Sequence, residues 1–102
     1  MLKIAPSPTF KVSVVVPVPG DEDQLINVTF KHKGKAALKA WIEAAADRDD
    51  VDSLMEVVAG WDGVEVEFAR DNLAAILDAY PRAAVSMLEA YVGELGRAAA
   101  KN

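Results

Sequence analysis

Phe10-Lys11-Val12-Ser13-Val14-Val15-Val16, followed by Ile26-Asn27-Val28-Thr29-Phe30-Lys31, is the stretch on which the fold turns. Phe10, Val12, Val14 and Val16 alternate with Lys11, Ser13 and Val15, and Ile26, Val28 and Phe30 alternate with Asn27, Thr29 and Lys31. A period of two in β-branched and aromatic residues is the signature of strands that bury one face. Between them lies Pro17-Val18-Pro19-Gly20-Asp21-Glu22-Asp23, a solvated turn with two prolines, a glycine and three acids. Residues 10–31 are therefore predicted to form a β-hairpin with a long loop. Residues 1–9, with two prolines, read as a flexible arm with room for a short strand at Leu2–Ile4.

Near Lys35 the period changes from two to about 3.6. Ala37, Leu38, Trp41, Ile42 and Ala45 recur at helical spacing, and helices are expected at about 35–47, 50–59, 71–79 and 82–99. Asp49 or Asp50 can cap the second helix and Gly60 can stop it. Pro81 separates the last two, since proline is tolerated only in a first helical turn. Val64, Val66 and Phe68 alternate, as in a short strand or an extended crossing. A hairpin alone is marginal, so its apolar face must lie on helices. The fold class expected is α+β: an N-terminal β-hairpin packed on a bundle of three to four α-helices, residues 10–102 forming one domain. Leu38, Trp41, Ile42, Leu54, Val58, Leu73, Leu77 and Leu88 are the expected core.

The last helix has an unusually broad apolar sector, with Ala84, Val85, Leu88, Tyr91, Val92, Leu95, Ala98 and Ala99 together and Met87 at its edge. Either the helix is sunk in its own core, or one flank faces a partner. On the second reading Met87, Tyr91 and Glu94 are candidate partner-binding residues; methionine repacks easily and tyrosine keeps a polar tip wet.

Composition restricts the chemistry. The 102 residues include no cysteine, one histidine and 52% apolar residues, with net charge −5. Residues 1–39 carry six lysines against three acids, and residues 40–102 carry five basic residues against thirteen acids. An acidic chain repels phosphate backbones, so no nucleic-acid partner is expected. Lys31, Lys33, Lys35 and Lys39 form a basic patch without interleaved aromatics. It suits a solvated hairpin edge, or, through Lys31 and Lys33, a contact for an acidic partner. No stretch approaches the ~20 apolar residues of a membrane span, and the start lacks the apolar run of a secretory signal.

His32, between Lys31 and Lys33, reads as a half-buried strand-end residue. No ligand-spaced carboxylates flank it, and Ser7, Ser13, Ser53 and Ser86 lack the context of a nucleophile. Asp47-Arg48-Asp49-Asp50-Val51-Asp52 fails as a calcium loop, because Val51 stands where an oxygen ligand is needed and Asp52 where glycine is needed. Glu65 and Glu67 would share a strand face without the desolvation that acid–base pairs require. No catalytic, cofactor-binding or metal-binding residue is expected.

The series Phe30-Lys31-His32-Lys33, Trp41, Gly60-Trp61, Glu67-Phe68, Asn72-Leu73, Leu77-Asp78, Tyr80-Pro81, Tyr91 and Lys101-Asn102 resembles the tail assembly chaperones of long-tailed bacteriophages, over residues 25–102. The sequence departs from that pattern at Ala69, where a helix-capping serine is expected. The resemblance implies a non-enzymatic protein of the bacterial host's cytoplasm. It would bind the tape measure protein, keep it soluble, help recruit tail tube subunits and leave before the virion is finished. It also leaves room for a homo-oligomer. Two rival readings are a structural tail or head-completion subunit retained in the virion, and a small antitoxin-like regulator.

With one histidine and no cysteine, dialysis against a chelator is expected to leave the melting temperature unchanged. A drop of several degrees would reveal a bound ion.

Overall fold

In the computed structural model, the backbone of residues 1–100 and the side chains of residues 1–96 are described. Seven elements follow in the order β1 (Thr9–Val16), β2 (Gln24–Lys31), α1 (Lys35–Ala45), α2 (Asp50–Val57), β3 (Val58–Asp62), α3 (Arg70–Ala79) and α4 (Ala83–Ala100). The class is α+β: a three-stranded antiparallel sheet of order β1-β2-β3, with four helices.

The hairpin forms as the alternation requires. Phe10 pairs with Phe30, Val12 with Val28 and Val14 with Ile26, so the two apolar rows share one face. Val14, Val16, Ile26, Val28 and Phe30 are buried there. The opposite face is polar for most of its length, with Ser13 Oγ donating to Asn27 Oδ1 at 3.0 Å. In the connecting loop the Asp21 N–H donates to the Val18 carbonyl at 3.1 Å, and Gly20 has a φ of +76°. Proline then glycine at the two central positions is what a type II turn demands.

The third strand was not expected where it lies. Gly60 does not serve as a helix stop; with Trp61 it belongs to β3, which pairs with β2 through Val28↔Trp61 and Thr29↔Gly60. Val64–Phe68 forms no strand, nor do residues 2–4. The reason is competition for an edge. β2 has one free side after pairing with β1, and Val58, fully buried against Phe30, anchors β3 to it. Gly63, at a φ of +90°, then turns the chain away. The following segment is held by the Trp61 indole, whose Nε1 donates to the Val66 carbonyl at 2.8 Å and whose ring meets Phe68 edge-on.

The helix starts are settled locally. Asp49 caps α2, its carboxylate accepting from the Asp52 N–H at 2.8 Å. Ala69 offers α3 no side-chain cap; Asn72 instead donates through Nδ2 to the Glu67 carbonyl at 2.8 Å, tying the first turn to the preceding segment. α1 buries Trp41, whose Nε1 donates to the Ser53 carbonyl in α2 at 3.0 Å.

Leu54, Leu73, Val58 and Trp41 are buried as expected, while Leu38, Leu77 and Leu88 are half-buried at the margin of the core. Ile42 is corrected: it is 46% exposed. The Trp41 indole is aimed at Ser53 and the sheet, which turns the next position along the helix outward.

Leu54→Ala is expected to cost about 2–5 kcal/mol, since the side chain is fully buried. Leu77→Ala should cost clearly less, and Ile42→Ala should fall within about 0.5 kcal/mol of the parent. Urea unfolding of the three variants checks the order.

Candidate functional site

Tyr91 lies where α4 crosses the start of the sheet. Its ring stacks on Phe10 at 5.9 Å between centroids, lies 4.9 Å from Phe30 and meets Trp41 edge-on at 5.2 Å. Its hydroxyl donates to the Lys31 carbonyl at 2.8 Å. Burial, with a contribution from the nearby negative charge of Glu56, pushes the phenol up to about 12.

Met87 and Tyr91 are both 0% exposed. The expectation that they flank an outward surface is therefore corrected: as folded, neither offers surface to a partner. Ala83, Ala84, Met87 and Tyr91 make the buried stripe of α4, and Val85, placed in the apolar sector by the sequence, is exposed. Helical periodicity defines a broad sector but not which part of it meets the sheet. Two alanines let α4 approach closely, so the largest side chains settle over Phe10 and Phe30. The side chains of Arg97, Ala98 and Ala99, and the whole of Lys101 and Asn102, lie outside what the structure describes.

The other candidates divide between two places. Lys31 is exposed, and its carbonyl serves Tyr91. Glu94 is half-buried one turn further along α4, in a groove of about 300 Å³ lined with Pro6, Phe10, Lys11, His32 and Leu95. Lys33 points elsewhere: its ammonium is 3.1 Å from Glu56 Oε2, and Arg48 Nη1 is 3.1 Å from Glu56 Oε1. These hydrogen bonds, from Arg48 foremost and then Lys33, lower the Glu56 carboxyl below its ordinary range. The Asp52 carboxylate is held low by its hydrogen bond with Arg70 across α2 and α3.

Lys33, Arg48 and Glu56 wall a shallow groove of about 290 Å³ along α1, floored by Ala37, Ala40, Trp41 and Ala44. Of the eleven residues of α1 only Trp41 is fully buried. Ala36, Ala37, Ala40, Ile42 and Ala44 are all exposed. The run of alanines was legible in the sequence, but it reads equally as helix propensity. Only the arrangement around Trp41 makes it a surface.

Glu65 and Glu67 are exposed outside any strand, so they do not share a strand face. Among the described residues, no three His, Asp or Glu side chains gather to hold a metal, and no helix is long and apolar enough to cross a membrane. The site's resources are thus surface shape, small apolar side chains and charge.

The whole chain, residues 1–102, matches the family model described as phage tail assembly chaperone. Searches of curated proteins and of solved structures found no match.

Tyr91→Phe should cost about 1 kcal/mol, because the part-buried hydrogen bond to the Lys31 carbonyl is lost. Tyr91→Asp should unfold the chain. The raised phenol also sets an alkaline limit. The unfolded tyrosine ionises near pH 10 and the folded one at about 12, so the unfolded state loses its proton first. Stability should be unaffected below pH 10 and fall between pH 10 and 12. Tyr91→Phe should flatten that fall, as read from denaturation midpoints across the window.

Proposed function

Because this chain belongs to the phage tail assembly chaperone family, we propose that it binds the tape measure protein, keeps it soluble and helps recruit tail tube subunits during assembly. The family match over all 102 residues carries this reading. The work is non-enzymatic and is done in the cytoplasm of the infected bacterium.

The client surface we assign is the outward side of α1. A helical client can lie against the small side chains of Ala37, Ala40 and Ala44, between the walls formed by Lys33, Arg48 and Glu56. Helices that recognise helices do so through such apolar strips. Lys33 and Arg48 border the strip and suit acidic residues on the client. Lys31 is the further basic contact. Tyr91 supports the surface from beneath, through its edge-on contact with Trp41. Many weak contacts along a long client add up through multivalency, and each can still be released.

Co-expression with the tape measure protein tests the reading. The client should be soluble and co-purify with this chain, and should aggregate without it. Ala40→Glu combined with Ala44→Glu, both on exposed positions, should leave the fold intact and reduce co-purification at least several-fold. A client that is soluble alone and never co-purifies would sink the function. Equal binding by the double variant would sink only the assignment to α1. Detection of this chain in finished particles would favour a retained structural subunit.

A further inference from the structure

The outer edge of β1 is open, and its geometry complements itself. The His32 N–H donates to the Pro8 carbonyl at 2.8 Å, extending the register in which Thr9 pairs with Lys31. Hydrogen-bonded and non-hydrogen-bonded pairs alternate along an antiparallel ladder. Phe10, Val12, Val14 and Val16 therefore bond to β2. Thr9, Lys11, Ser13 and Val15 turn their N–H and C=O groups the other way, to the free edge. All four of these residues are exposed, and no turn, loop or helix backbone among the described residues bonds to them.

Folds usually blunt such an edge with a bulge, a proline or several charges. β1 pairs with β2 over eight residues without a bulge, and its register irregularity lies on the other side of the sheet, between β2 and β3. There is no proline within Thr9–Val16 and one charge, Lys11. Phe10 and Val12, on the core face of this edge, stay half-buried, whereas Val14 and Val16 are buried.

We propose that β1 pairs antiparallel with β1 of a second copy about a two-fold axis at Val12, joining the two sheets into one of six strands. Strand pairing about a two-fold is isologous, so one edge supplies both halves. With Val12 opposite its own counterpart, Thr9 stands opposite Val15 and Lys11 opposite Ser13, and every outward N–H on both strands finds a carbonyl. The neighbouring registers are worse. A shift one way sets Lys11 directly opposite Lys11, two like charges. A shift the other way sets Thr9 opposite Pro17, which has no N–H to give. In the favoured register Phe10 meets Val14 of the other copy, which covers the half-buried end of the apolar row. This surface is distinct from the α1 strip, so dimerisation and client binding fail separately.

The chain contains no cysteine, which makes a directed cross-link clean. Val12→Cys places the two thiols opposite each other in a non-hydrogen-bonded pair, the closer of the two pair types. Mild oxidation should convert most of the protein to a disulfide-linked dimer on non-reducing gels. Ser13→Cys, whose counterpart is displaced along the edge, should cross-link at least several-fold less. Sedimentation of the parent chain over a wide concentration range should show a monomer–dimer equilibrium. Lys11→Pro, which deletes one outward N–H and leaves the β2 ladder intact, should shift it to monomer with its circular dichroism unchanged. A parent chain that sediments as monomer throughout would overturn the proposal. So would equal cross-linking of the two cysteine variants, or edge amides that become protected from hydrogen exchange only when a client is added.

Discussion

The tertiary structure depends on one buried hydroxyl. Tyr91 donates to the Lys31 carbonyl at the end of β2, and its ring is shared by Phe10 of β1, Phe30 of β2 and Trp41 of α1. The first three elements of the chain are thereby set against one side chain of the last. The phenol can be buried because its polar atom has a partner; without one, its desolvation would outweigh much of what the ring gains. The carbonyl is available because Thr9 and Lys31 form a non-hydrogen-bonded pair, so it points away from β1, and the pairing with β3 reaches only to Phe30.

A second chain of contacts runs outward from the same cluster. Trp41 touches Tyr91 with its ring edge and reaches α2 through its indole N–H to Ser53. α1 is held by this one fully buried residue, with Lys33, Arg48 and Glu56 closing the rim. A helix held by Trp41, with Leu38 half-buried beside it, leaves most of its circumference outside. That division is useful in a protein whose family works by holding other proteins.

The sheet divides its surfaces in a similar way. One face is buried, one edge of β2 is filled by β3, and the other edge of the sheet, along β1, is left unpaired. β3 is the economical solution for a chain of this length, because five residues directly after α2 complete a sheet without a separate hairpin. Trp61 and Gly63 then lead the chain across to α3.

The sequence by itself determined the hairpin, the four helices and their approximate limits, the cap at Asp49 and the family. Each of these is written in local periodicity, in capping residues or in a series of positions along the chain, and needs no knowledge of what lies opposite. The tertiary structure decided what depends on competition between distant segments. β3 formed at Val58–Asp62 because the free side of β2 was there to pair with, although Gly60 in isolation reads as a helix stop. α4 turned Met87 and Tyr91 inward because Phe10, Phe30 and the Lys31 carbonyl awaited them, although its apolar sector is wide enough to allow either rotation. Ile42 turned outward because α1 faces the core with Trp41 and, in part, Leu38. Periodicity states that a face is apolar; which part of that face is covered is set by the shape and the unsatisfied polar groups of the surface it meets.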